Sequence, residues 1–250
     1  MVSESKNGQG EGITHMDKQA ALTISYFSDV LCVWAYAAQI KLDELRRQFG
    51  DQIRLEYHFL PLFGDVSAHI DDGWADRGGA AGYARHVKQV AARFDRIDIH
   101  PEIWTRNMPS TSASCHLFLK AVQLVEKSGA ISAAPQARFD GKSLFEEAVW
   151  RCRLAFFRDL QDIADRNQQE AIASDIGLPL ADIRRQIDGG AAYAALCTDF
   201  AAKEKYLVEG SPTFLLHEGR QKLYGNVGYR VIEANIQELL ADPGDRASWC

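Results

Sequence analysis

The 250-residue chain is short of several features, and each shortage excludes something. It has five cysteines, at positions 32, 115, 152, 197 and 250, an odd number at wide spacings. That makes a poor disulfide framework and points to a reducing compartment. No apolar run approaches the roughly 20 residues that a membrane-spanning helix needs. Met1 to Lys18 is polar and glycine-rich, without the apolar centre of a secretory signal. Basic residues are the minority, 28 Lys and Arg against 34 Asp and Glu, for a net charge of −6. An acidic balance argues against nucleic acid or an anionic membrane as the main partner. The seven histidines form no H-x-x-x-H pair and no Cys/His cluster, so no metal site is expected. Gly8-Gln9-Gly10-Glu11-Gly12 follows no strand and is not a dinucleotide fingerprint. There is no P-loop, no nucleophile elbow and no internal repeat. The expectation is a cytoplasmic protein with a disordered arm at 1–20 and a short tail at 243–250.

What is present is enough apolar material, 46% of residues, for a sizeable core. The length fits one large domain, or one domain with another inserted into it. The organising stretch is Leu22 to Tyr36. Leu22-Thr23-Ile24-Ser25-Tyr26-Phe27 reads as a buried strand, and a helical pattern runs from Cys32 to Phe49 through Leu31, Trp34, Ala38, Leu42 and Leu45. A cysteine thus stands at a helix mouth. There the unpaired amide N–H groups and the helix dipole favour thiolate over thiol. Ser28 and Asp29 read as helix caps, although an ionised Asp29 beside a thiolate would oppose it. Trp34 suits either shielding of the thiol, stacking on a substrate, or plain core packing.

Ile53 to Leu60 alternates apolar and polar residues as a half-buried strand does, and Pro61 stops it. A β-α-β start implies two parallel strands joined by a right-handed crossover. From Gly64 to about Asp188 only helical spacing remains, with helices expected at 82–94, 111–127, 143–157, 164–176 and 180–187. Cys115, Cys152 and Cys197 fall on apolar helical stripes and read as core, with a remote resolving thiol as the alternative for one of them. Another helix is expected at 191–206, with Tyr193, Leu196, Cys197 and Phe200 on its apolar face. Asn107, Ser110 and Ser112 introduce the helix at 111–127 and suit N-cap chemistry. Strand character returns after Pro212, a hairpin turns at His217-Glu218-Gly219-Arg220, and a last helix runs from Tyr229 to Leu240.

These motifs resemble the thioredoxin superfamily, and within it the DsbA-like branch. That branch includes FrnE-type oxidoreductases, kappa-class glutathione transferases and 2-hydroxychromene-2-carboxylate isomerases. Ser28-Asp29-Val30-Leu31-Cys32-Val33-Trp34-Ala35 is similar to the oxidoreductases' S-D-x-x-C-P-W-C, and Gly210-Ser211-Pro212-Thr213-Phe214 to their G-[VS]-P-T-F loop. The resemblance implies an α/β thioredoxin-like fold (β-α-β … α-β-β-α) with a large all-helical insertion. Its thioredoxin-like part would be 21–63 and 190–242, and its inserted subdomain 64–189.

The resemblance also implies a cis Ser211–Pro212 bond facing the thiol, with loop backbone free to pair with glutathione or a protein thiol. It places Asn226, Tyr229 and Arg230 at a corner that helps to hold glutathione. It puts the helix introduced by Asn107, Ser110 and Ser112 along the cleft. Homodimers occur in the family. The departures are as informative. Val33 replaces the proline, and Ala35 replaces the second cysteine of C-x-x-C, which excludes dithiol exchange within the motif.

The leading expectation is a monothiol thiol–disulfide oxidoreductase with Cys32 catalytic. Trp34, Ser211, Pro212, Asn226 and Tyr229 would contact the substrate or glutathione. No tightly bound cofactor is expected, and glutathione enters as co-substrate and resolving thiol. A glutathione-dependent isomerase or transferase, and a non-catalytic thioredoxin-like binding module, remain alternatives.

Overall fold

The computed structural model describes residues 21–242. The expected arm and tail, and Cys250, lie outside the described residues. Strand β1 (Leu22–Ser28) runs parallel to β2 (Ile53–Phe59), with Leu22 opposite Ile53 and Ser28 opposite Phe59. β3 (Thr213–Leu216) pairs antiparallel with the other side of β1, and β4 (Gln221–Tyr224) with β3. The order β2-β1-β3-β4 places β1 in the interior, so the residues that follow it emerge at the middle of one sheet edge. That is the thioredoxin-like core with its helical insertion.

The single helix expected at 32–49 is two: α1 (Val33–Ala37) and α2 (Gln39–Phe49), meeting at Ala38. The Ala38 amide still bonds the Trp34 carbonyl at 2.9 Å, so the break is a local bend. Gly50 ends α2 at φ 50°, a left-handed value that favours glycine. Between β2 and the core's return lie α3 (Gly79–Ala91), α4 (Ala113–Lys127), α5 (Leu144–Phe157), α6 (Arg166–Ile176) and α7 (Leu180–Asp188). Ser143 and Glu146 form a reciprocal capping box that starts α5. Then come α8 (Ala191–Lys205) and, after β4, α9 (Tyr229–Ala241).

The insertion is packed around aromatic rings. Trp104 is fully buried, stacked on Phe63 at 5.3 Å and edge-on to Phe156 at 4.8 Å. Its backbone is left-handed at φ 63°, a strain of about 1–2 kcal/mol for an L-residue. Burying a large side chain is worth about as much or more, roughly 1.5–3 kcal/mol, so packing holds the strained turn.

The expected face of α8 is corrected. Ala192, Leu196 and Asp199 are buried, whereas Tyr193 and Cys197 are exposed. The helix turns this way because Asp199 reaches β2. Its carboxylate accepts from the Phe59 amide at 2.8 Å and from the Lys120 ammonium at 2.8 Å, and lies 2.9 Å from His58 Nδ1. Polar contacts to a sheet edge outweigh an apolar stripe that sequence periodicity alone would favour. No helix among the described residues is long and apolar enough to cross a membrane.

Candidate active site

The turn from β1 into α1 is held as a unit. Asp29 is fully buried. One carboxylate oxygen accepts from the Leu31 amide at 2.8 Å, and the other from the Phe63 amide at 2.9 Å and the Ser112 hydroxyl at 2.7 Å. Asp29 therefore closes a local turn and ties it to the start of the insertion and to α4. It does not cap α1, whose N-cap is Cys32 and has no side-chain cap bond. Ser112 stands at the N-cap of α4 without a side-chain cap bond of its own, because its hydroxyl is spent on Asp29. Both capping expectations are thereby corrected.

Two further buried side chains grip the same turn. His116 Nε2 accepts from the Val30 amide at 3.1 Å. With Nε2 acting as acceptor, the ring proton sits on Nδ1, which has no hydrogen-bond partner among the described residues. The 3.6 Å separation of Nε2 from Asp29 Oδ1 is therefore a contact of a neutral ring and not an ion pair. Arg153, fully buried on α5, donates to Ser28 Oγ at 3.2 Å and to Gln39 Oε1 at 3.0 Å.

Cys32 is 5% exposed. Its Sγ donates to the Ser211 carbonyl at 3.3 Å, so the expected meeting of Cys32 with the Ser211-Pro212 loop occurs, and that peptide bond is cis. The Ser211 hydroxyl accepts from the Asp29 amide at 3.0 Å. In the resting structure the Ser211 carbonyl accepts from the thiol and the Pro212 carbonyl from the Gly225 amide at 2.8 Å. Trp34 lies on α1, half-buried, edge-on to Phe94 at 6.4 Å. Asn226 and Tyr229 contact α2, through Lys41 Nζ to Asn226 Oδ1 at 2.8 Å and through the Tyr229 hydroxyl to Gln48.

Burial pushes the Cys32 thiol up from its ordinary value of 9.0. The Ser211 hydroxyl and the Ala35 amide pull it down, the Asp29 charge adds to the rise, and the Trp34 amide opposes it weakly. The helix-mouth amides thus act as the sequence suggests, but desolvation outweighs them. The resting group is a thiol, and the S–H bond to a carbonyl is one that only the protonated form makes. Cys32 should accordingly react with iodoacetamide along a pH curve whose midpoint lies above 9.0. A midpoint below the ordinary thiol value would contradict this placement.

The same sign governs stability. Cys32 and Tyr26, the latter pushed up to about 12 by burial, are acids that the fold keeps protonated. Their contribution is intact below the unfolded values of 9.0 and 10.0 and is lost as pH rises through the folded ones. The melting temperature should fall progressively above about pH 9.

A family model, the DSBA-like thioredoxin domain, matches residues 23–237. The chain belongs to the DSBA-like thioredoxin family. Solved structures of similar fold include a candidate protein disulfide isomerase from Nitrosomonas europaea, at TM-score 0.69 and 12% identity over 90% of this chain and 100% of that one. The cytosolic disulfide reductase DsbM from Pseudomonas aeruginosa with GSH is similar at 0.58 and 17%, over 86% of this chain and 100% of that one. A 2-hydroxychromene-2-carboxylate isomerase is similar at 0.59 and 14%, over 90% and 100%. No curated protein matches the chain.

In this DSBA-like chain the residues missed by sequence reasoning are His116, Arg153 and Gln39. Each is a polar residue inside an otherwise apolar helical face, which is the one signal that could have drawn notice. No group of three or more His, Cys, Asp or Glu able to hold a metal occurs among the described residues.

Proposed function

We propose that this DSBA-like protein is a monothiol thiol–disulfide oxidoreductase of a reducing compartment, with Cys32 as nucleophile and an external thiol such as glutathione as resolving agent. The carrying observation is Cys32 Sγ at the mouth of α1, 3.3 Å from the Ser211 carbonyl, with Ala35 where an internal resolving thiol would have to stand. Loss of the proton breaks the bond to Ser211 O. The Ser211 hydroxyl and the amides of Ala35 and Trp34 then favour the thiolate. The freed carbonyl becomes an acceptor for a backbone N–H of the incoming disulfide.

The thiolate attacks one sulfur of that disulfide, forming the Cys32 mixed disulfide and expelling the other sulfur as thiolate. Where the incoming disulfide is a glutathionylated thiol and Cys32 takes its glutathione sulfur, the other thiol leaves. A second glutathione thiolate then attacks the glutathione sulfur of the adduct, releasing glutathione disulfide and the Cys32 thiolate. Asn226, held by Lys41 of α2, and Tyr229, the first residue of α9, are the groups proposed to hold the glutathione carboxylate. The fold shared with cytosolic DsbM with GSH supports this reading. Release of glutathione from a glutathionylated peptide tests it: Cys32→Ser should reduce turnover to background, and retention of turnover rejects the mechanism.

One observation favours a second reading. Held as a thiol, Cys32 leaves the Ser211 hydroxyl and the α1 amides available to cradle the sulfur of bound glutathione. This would be glutathione-dependent isomerase or transferase chemistry. Saturable glutathione binding with Cys32→Ser still active would select it. Absence of both adduct and binding would select a non-catalytic module.

A further inference from the structure

Strand β2 lies at an outer edge of the sheet, and a cavity of about 880 Å³ runs along it, walled by α2, α4, α8 and the segment 133–143. The Leu60 amide, one residue past β2, bonds the Ser28 carbonyl of β1 at 3.0 Å. Backbone groups alternate along a strand, so those of the even-numbered β2 residues face β1 and those of the odd-numbered ones face the cavity. Side chains close one end of this edge. The Phe59 amide donates to Asp199 at 2.8 Å, and the Tyr57 carbonyl accepts from Gln123 Nε2 at 3.3 Å and Lys120 Nζ at 3.5 Å. At the other end the Ile53 amide turns back to the Gly50 carbonyl. Between them, the Ile53 carbonyl, both backbone groups of Leu55 and the Tyr57 amide have no hydrogen-bond partner among the described residues. Such an open run of donors and acceptors is a template for another strand.

The cavity walls select the chemistry of that strand. Arg46 is paired with Asp43 and Glu146, Arg47 with Glu44, Arg54 with Glu56 and Lys120 with Asp199. Of the described residues lining the cavity, Asp51, Glu126 and Asp140 have no ion-pair partner, against one such cation, Lys127. Glu126 Oε2 is buried and has no hydrogen-bond partner at all. The unspent charge is therefore negative, and its complement is a cation. A second copy of the chain fits poorly, because its own β2 edge is recessed behind the same helices. A slender extended segment fits. We propose that the β2 edge binds an extended, basic peptide segment of another protein as a fifth strand, its backbone pairing with Leu55 and its lysine or arginine side chains meeting Asp51, Glu126 and Asp140. Main-chain bonds hold the segment and the acids choose it. Cys32 does not line this cavity, so the site is independent of the oxidoreductase reading.

The test uses the full chain and a fluorescein-labelled heptapeptide, Thr-Lys-Val-Lys-Val-Lys-Thr, followed by anisotropy and by amide hydrogen exchange. Saturable binding that weakens with salt is expected, with slower exchange at Leu55 and Tyr57. Two further peptides carry N-methyl groups on one or the other set of alternate amides and keep every charge. The set facing β2 should bind about tenfold more weakly or worse, and the set facing away should bind as the parent does. Leu55→Pro removes the edge donor without touching the bonds to β1 and should weaken binding likewise. Glu126→Gln should weaken it several-fold. A peptide with glutamate in place of lysine should not bind. Absence of saturable binding would overturn the proposal. So would equal behaviour of the two N-methyl peptides, which marks charge attraction without strand pairing. Leu55 and Tyr57 amides already protected in the free protein, with no peptide bound, would mean that the chain itself covers the edge, and would also overturn it. The peptide series decides the point even if Leu55→Pro fails to fold.

Discussion

Asp29→Ala should lower stability by about 3–6 kcal/mol, a large share of the roughly 5–15 kcal/mol of a typical domain. The carboxylate accepts from two buried backbone amides, Leu31 and Phe63, and from the buried Ser112 hydroxyl. Each buried polar group left without a partner costs about 1–3 kcal/mol. Alanine leaves all three unpaired and opens a gap between the turn, the Phe63 segment and α4. Asp29→Asn keeps one acceptor oxygen but turns an NH₂ toward donors, so it should recover only part of the loss. Removing the charge also removes one cause of the raised Cys32 value, so the alkylation midpoint should move down in either variant. Denaturant melts measure the first effect and iodoacetamide profiles the second. A variant within 1 kcal/mol of the wild type, an approximate bound set by one such hydrogen bond, would show that Asp29 is not the tie described.

The second large effect lies at the outer edge of β2. Lys120 is 4% exposed, and its ammonium lies 2.8 Å from Asp199, with Gln123 Oε1 at 2.7 Å. Burial pushes the Lys120 value down, and Asp199 restores part of it. Asp199→Ala should cost about 3–5 kcal/mol, because it leaves a buried cation and the Phe59 amide uncompensated. The loss should be smaller at high pH, where Lys120 sheds its proton more readily than in the wild type. Adding Lys120→Met should recover much of it, since an apolar chain of similar length needs no anion. A double variant no more stable than Asp199→Ala would contradict the assignment of the cost to the unpaired charge.

The fold was legible where local chemistry and tertiary structure agree. Leu22–Phe27, the helix after it and the alternating Ile53–Phe59 produce the parallel pair, and Pro212 marks the return to the sheet. The meeting of Cys32 with Ser211 was legible only through motif resemblance, since the two are far apart in sequence. The sign of the Cys32 shift was not legible. Helix-mouth amides are local and can be read from a motif. The desolvation that outweighs them depends on how the fold encloses the thiol, which no short window encodes.

His116, Arg153 and Gln39 escaped, and Asp29 and Ser112 read as caps, for a related reason. Each looks like a cap or an interruption of an apolar stripe, and only their convergence gives them a role. Tyr193 and Cys197 reversed their expected exposure because the Asp199 carboxylate, which satisfies a strand edge, takes the buried face of α8.

The proposed function makes Cys32 the monothiol nucleophile of a shielded, normally protonated site. The most direct measurement is intact-protein mass spectrometry after titration with oxidised glutathione across pH, with the adduct mapped. One glutathione adduct is expected, on Cys32, forming with a midpoint above 9.0. Cys32 remaining unmodified, with glutathione appearing only on exposed Cys197 or nowhere, would contradict it.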